Sequence, residues 1–150
     1  MKLKYVGKLI SIGLASLTIS GCVGAPKLAP RFRPLTTIPD HQYICRGSAC
    51  NSAWTRTQLW INRHSLMKIR MANDSLIQTY SSIKYRYSFT ATKDPIGNNA
   101  YRISLEIGGA SSYTYSSLLL VEKSLYYYLK TGRDLLIPRL DGVFISTAIK

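Results

Sequence analysis

Residues 83–107 narrow the folding options more than any other stretch. Ile83, Tyr85, Tyr87 and Phe89 alternate with Lys84, Arg86, Ser88 and Thr90. After Asp94-Pro95-Ile96-Gly97-Asn98-Asn99 the alternation resumes, with Tyr101, Ile103, Leu105 and Ile107 opposed to Arg102, Ser104 and Glu106. A strand turns successive side chains to opposite faces, so a period of two means two strands, each with one apolar and one wet face. Pro, Gly and the paired Asn residues supply the turn chemistry between them. The expectation is an antiparallel hairpin with one face against a core.

Weaker alternation surrounds this hairpin. Residues 57–62, 66–71 and 75–80 read as strands, with Asn73-Asp74 as a turn. Gly108-Gly109 breaks the long hairpin, and residues 113–117 continue the pattern beyond it. Residues 118–130 fit two templates. Leu118, Val121, Leu125 and Leu129 have helical spacing, with Gly132 as a stop. Leu125, Tyr127 and Leu129 also alternate with Tyr126, Tyr128 and Lys130, and a run of tyrosines favours a strand. The strand reading is preferred, as two strands turning near Glu122-Lys123-Ser124. Residues 143–149 make a closing strand after Asp141-Gly142. The fold class expected is all-β: a small antiparallel meander barrel or sandwich of about seven or eight strands.

The N-terminus follows different rules. Lys2, Lys4 and Lys8 give a cationic start, and residues 9–19 are apolar or small. A spanning helix needs about 20 apolar residues, so this run fits the core of a signal peptide instead. It closes on Ile19-Ser20-Gly21-Cys22. That order resembles the cleavage box of bacterial lipoproteins: an apolar residue, a small residue, Gly or Ala, then Cys. The resemblance covers the first 22 residues. It implies a diacylglycerol thioether on Cys22, cleavage before Cys22 and, in many members, acylation of the new amine. It implies an attachment to membrane lipid that needs no spanning helix, because each buried CH₂ contributes about 0.8 kcal/mol and more than one acyl chain is inserted. Val23, where an Asp commonly retains such proteins in the inner membrane, implies the outer membrane.

Three segments follow from this: a leader at 1–21, a lipidated N-terminus and tether at 22–40, and a β-domain at 41–150. The tether carries Pro26, Pro30, Pro34 and Pro39, four of the six prolines in the chain. Proline fixes φ and removes a donor, so an extended spacer is expected there. The domain is long enough to bury a core of its own.

The remaining cysteines are Cys45 and Cys50, an even pair once Cys22 carries lipid. Export to an oxidising compartment favours a disulfide between them, with Gly47 permitting the reversal. The alternative is a metal site built from Cys45, Cys50, His41 and His64, whose Cys spacing lies at the edge of the usual zinc range. The disulfide is the preferred reading, with no metal and no cofactor.

Lys2, Lys4 and Lys8 leave with the leader, so 17 cationic residues face 7 carboxylates, a net +10. Such a surface attracts anions, and for an envelope protein the nearest are glycolipid and phospholipid headgroups. The same charge also serves plain solubility. Nucleic acid is not expected: stacking aromatics and basic residues would have to share one surface, and here Tyr85, Tyr87 and Tyr101 oppose Lys84, Arg86 and Arg102. A strand at 126–128 would put tyrosine on both faces, so Tyr126, Tyr128, Arg86 and Arg102 form the candidate contact surface.

Catalytic signals are weak. His41 and His64 are the only histidines, and neither stands in a motif that supplies a base to a nucleophile. The chain has no Gly-x-Ser-x-Gly, phosphate-cradling loop or His-Glu-x-x-His. Asp74, Asp94, Asp134 and Asp141 fall where turns are expected. The function expected is non-enzymatic binding or structure towards an envelope protein or anionic glycolipid. A lipocalin-like barrel holding a small ligand is the alternative. An inhibitor of a cell-wall enzyme ranks below it, because the Ser-Gly-x-x-Tyr pattern of lysozyme inhibitors is missing at Ser112-Tyr113 and a +10 domain repels basic lysozymes.

Overall fold

The computed structural model describes residues 28–82, 86–109 and 115–136. Its centre is the hairpin the alternation predicts. β4 (Ser88–Gly97) pairs antiparallel with β5 (Ala100–Gly108), from Ser88 opposite Gly108 to Gly97 opposite Ala100. Asn98 and Asn99 form the turn at φ 49° and 54°. Positive φ at both central residues gives the turn whose twist suits a two-residue hairpin, and Asn tolerates it.

Three short strands complete an antiparallel sheet in the order β1-β5-β4-β3-β2. β1 (Tyr43–Arg46) lies beside β5, β3 (Leu76–Thr79) beside β4, and β2 (Ile69–Ala72) forms the far edge. The turn read at Asn73-Asp74 joins β2 to β3: the Asn73 side-chain oxygen accepts from the N–H groups of Ser75 and Leu76, at 2.9 and 2.8 Å. β4 runs on through Asp94-Pro95, where the sequence suggests the turn beginning. β3 stops opposite Thr92, so past Lys93 the strand has a partner on one side only, a place where proline is tolerated.

Two helices cover one face of the sheet. α1 (Ala49–His64) replaces the strand expected at 57–62. Its buried residues are Cys50, Ala53, Trp54, Thr57, Trp60 and Ile61, one stripe at helical spacing. α2 (Tyr115–Thr131) replaces the strand pair expected at 118–130. Val121, Glu122, Ser124, Leu125, Tyr126, Tyr128 and Leu129 are its buried residues. It ends where the sequence places a stop: Gly132 has φ 74° and its N–H bonds Tyr128 O at 2.8 Å.

The apolar parity of the hairpin faces these helices. Phe89 and Ala91 of β4, Ile103 and Leu105 of β5, Ile77 of β3 and Cys45 of β1 are buried together. Trp60 stands edge-on to Phe89 with ring centroids 5.8 Å apart. The other sheet face carries Thr90, Thr92, Ser104, Arg102 and Glu106, none of them buried. Sidedness along the hairpin therefore follows the alternation from Ser88 onward.

The fold class needs correction. The domain is mixed α/β, a five-stranded antiparallel sheet that does not close into a barrel, with helices on one face. The tether also ends earlier than proline content suggests. A 3₁₀ helix spans Pro30–Thr37, and Phe32, Leu35 and Ile38 belong to the core. Residues 83–85, 113–114 and 143–149, all read as strand, lie outside the described residues.

Candidate ligand groove

The disulfide joins Cys45 on β1 to Cys50 in the first turn of α1, with Cα atoms 5.1 Å apart. Gly47 turns the chain at φ 57°, its N–H bonds Asn99 O at 2.9 Å, and its carbonyl accepts from Cys50 N–H at 3.1 Å. The bridge therefore fixes the start of α1 against the Asn98-Asn99 turn. The metal alternative fails on geometry. Cys50 and His64 stand at opposite ends of α1, about 21 Å apart at 1.5 Å per residue.

Beside this anchored corner lies an open groove of about 560 Å³. Asn51, Trp54 and Thr55 of α1 form one wall, Asp74 and Ser75 of the β2–β3 turn another. Lys93 and Pro95 of β4 and Tyr101 of β5 form the floor. The walls are tied to one another. The Trp54 indole N–H donates to Asn73 O at 2.8 Å, and Lys93 N–H donates to Ser75 O at 2.9 Å. The Lys93 ammonium sits 5.5 Å from the ring centres of both Trp54 and Tyr101. Each ring face attracts a cation, so the pair fixes where this charge stands. Among the described residues, Lys93 and Asp74 share the groove without closing an ion pair.

A second polar cluster is structural. Tyr126 O–H donates to Glu122 at 2.8 Å and accepts from Leu105 N–H at 3.1 Å. β1 starts opposite Ile103, so Leu105 lies past its end and this ladder position is capped by the phenol. Burial, with the Glu122 carboxylate adjacent, pushes the Tyr126 phenol far above its ordinary range. It stays a neutral donor. Glu122 also meets His41 Nδ1 at 3.1 Å, and Lys123 meets Asp40 at 2.6 Å. The Lys123 hydrogen bond holds the Asp40 carboxyl below its ordinary 3.8. Together these contacts pin the chain entering β1 to α2. His64, at the end of α1, pairs with Asp134 at 2.7 Å and packs on Trp60 with ring centroids 4.6 Å apart.

The contact surface read from the sequence does not form. Tyr126 and Tyr128 are buried, 1% and 8% exposed, because the segment is a helix with those positions inward. Arg86 and Arg102 are exposed but stand near opposite ends of the hairpin. Gly108 is opposite Ser88 and Arg102 lies six residues back along β5, about 20 Å away. Cys22 lies outside the described residues. Sequence reasoning missed the groove because its residues come from the first half of α1, given no element in the sequence reading, from the β2–β3 turn, and from β4 and β5, which only the fold brings together.

The chain matches no protein-family model, no curated protein sequence and no solved structure. What the fold and site define is a disulfide-pinned α/β domain with an aromatic-flanked groove that carries one lysine and one aspartate.

Proposed function

We propose that this chain is a lipid-anchored lipoprotein of the bacterial cell envelope, whose domain binds another envelope component rather than transforming it. The observation that carries the reading is Ile19-Ser20-Gly21-Cys22 behind a cationic start and a short apolar run. The Cys45–Cys50 bridge supports it, since such bonds persist outside the reducing cytosol. Among the described residues no helix is long and apolar enough to cross a membrane, and the proposed attachment is through the acyl chains on Cys22. Val23 favours the outer membrane. The net +10 of the processed chain favours an anionic partner, glycolipid or protein. The binding role is supported by the open groove, and by titratable groups such as Glu122, Asp134 and His64 that are engaged in holding elements together. The lipocalin-like and cell-wall-enzyme-inhibitor readings gain no such support: the sheet is open and its helix-facing side is filled.

The test is metabolic labelling with an alkyne fatty acid, followed by membrane fractionation. The wild type is expected in the membrane with label, and Cys22→Ser without label, as precursor or released protein. Equal labelling of both would overturn the proposal.

A further inference from the structure

We infer that the groove bounded by Trp54, Lys93, Tyr101 and Asp74 binds an acidic sugar, one carrying a carboxylate or phosphate. This rests on the domain being a binding module but not on its anchoring. Three observations carry it. First, the Lys93 ammonium is positioned by two aromatic rings and is not taken up by Asp74, so the groove presents a fixed cation. Charge-assisted hydrogen bonds to an oxyanion are its natural use. Second, Asn51, Thr55, Ser75 and Asp74 offer amide, hydroxyl and carboxylate groups around the same space. These accept from and donate to hydroxyls, and Asp74 repels a second negative charge. The ligand must therefore carry an acidic group for Lys93 and hydroxyl donors for Asp74 and the uncharged groups. Third, about 560 Å³ falls within the usual range of small-ligand pockets and far exceeds what a bare inorganic anion fills. A neutral zwitterion would satisfy Lys93 and Asp74 alone, but it leaves the uncharged donors unused and gains nothing from the basic surface.

The experiment is calorimetric titration of the full chain in detergent with glucuronic acid, glucose, inorganic phosphate and glycylglycine. Glucuronic acid is expected to bind, glucose about tenfold more weakly, and the other two without saturation. Lys93→Gln should reduce glucuronic acid to the level of glucose, Lys93→Arg should keep most of the difference, and Asp74→Asn should weaken both sugars. Glucose binding as well as glucuronic acid would overturn the charge assignment. Phosphate or glycylglycine binding as well as glucuronic acid would overturn the sugar assignment, and binding of none of the four would overturn both. The acid-over-neutral preference is read on the wild type, so a misfolded variant does not protect the idea. Lipid on Cys22 is scored on the same preparation: failed sugar binding with the lipid present sinks this inference and leaves the anchor standing.

Discussion

Tyr126 shows how much one side chain holds here. Its phenol ties Leu105 of β5 to Glu122 of α2, all within a buried setting. Tyr126→Phe keeps the ring but strands a backbone N–H and weakens the support of a carboxylate. The expected loss is about 1–3 kcal/mol, read by urea denaturation; an unchanged midpoint would contradict the network. Asp40 makes a smaller, pH-dependent contribution. Its carboxyl is held below 3.8 by Lys123, so its stabilisation is complete above the unfolded value and fades as pH falls through the lower folded one. Asp40→Asn should therefore lower the melting temperature slightly near neutral pH, with the gap to wild type closing below about pH 4. Gly132, at φ 74°, was readable as a helix stop, since glycine is the residue that takes that conformation freely. Tyr126 was not readable. A tyrosine triplet looks like a strand until the helix puts two of the rings inside.

At the scale of elements, the hairpin was legible and the helices were not. Alternation at 101–107 is strict, and nothing competes with it. α1 hides its stripe because three of its buried positions are the small or polar Cys50, Ala53 and Thr57, while Leu59 is apolar and half exposed. Its second half includes Thr57, Trp60 and Ile61, residue types that favour strands on propensity. In α2 the polar buried positions Glu122 and Ser124 break the apolar spacing; Glu122 meets distant His41 and the nearby Tyr126 phenol, and Ser124 bonds the helix backbone. The 3₁₀ helix at Pro30–Thr37 hides in a proline-rich stretch whose Phe32 and Leu35 anchor it. Phe32→Ala should destabilise the domain by about 3–5 kcal/mol, measured by chemical denaturation. A cost near zero would return residues 30–38 to the tether. The disulfide closes a short loop, so reduction should cost no more than the typical 2–4 kcal/mol. Its clearer effect is expected at the groove: reduction should weaken glucuronic acid binding measured by calorimetry, since Asn51, Trp54 and Thr55 start from the bridged turn.

The whole molecule is organised by two kinds of information. Packing builds the sheet and its helix-covered face from the described residues, and in the proposed reading the box at Ile19–Cys22 decides where the domain lives. Neither kind depends on the other: the proposed location rests on a few residues of sequence, while the groove needed the fold. The basic balance would join them, since under the proposed anchoring a positively charged domain faces anionic headgroups and glycans at short range. The most direct measurement is mass spectrometry of the protein extracted from isolated envelopes. The account predicts a chain beginning at Cys22 and heavier than its polypeptide by a diacylglyceryl group or more. A soluble chain that still begins at Met1 with an unmodified Cys22 would contradict it.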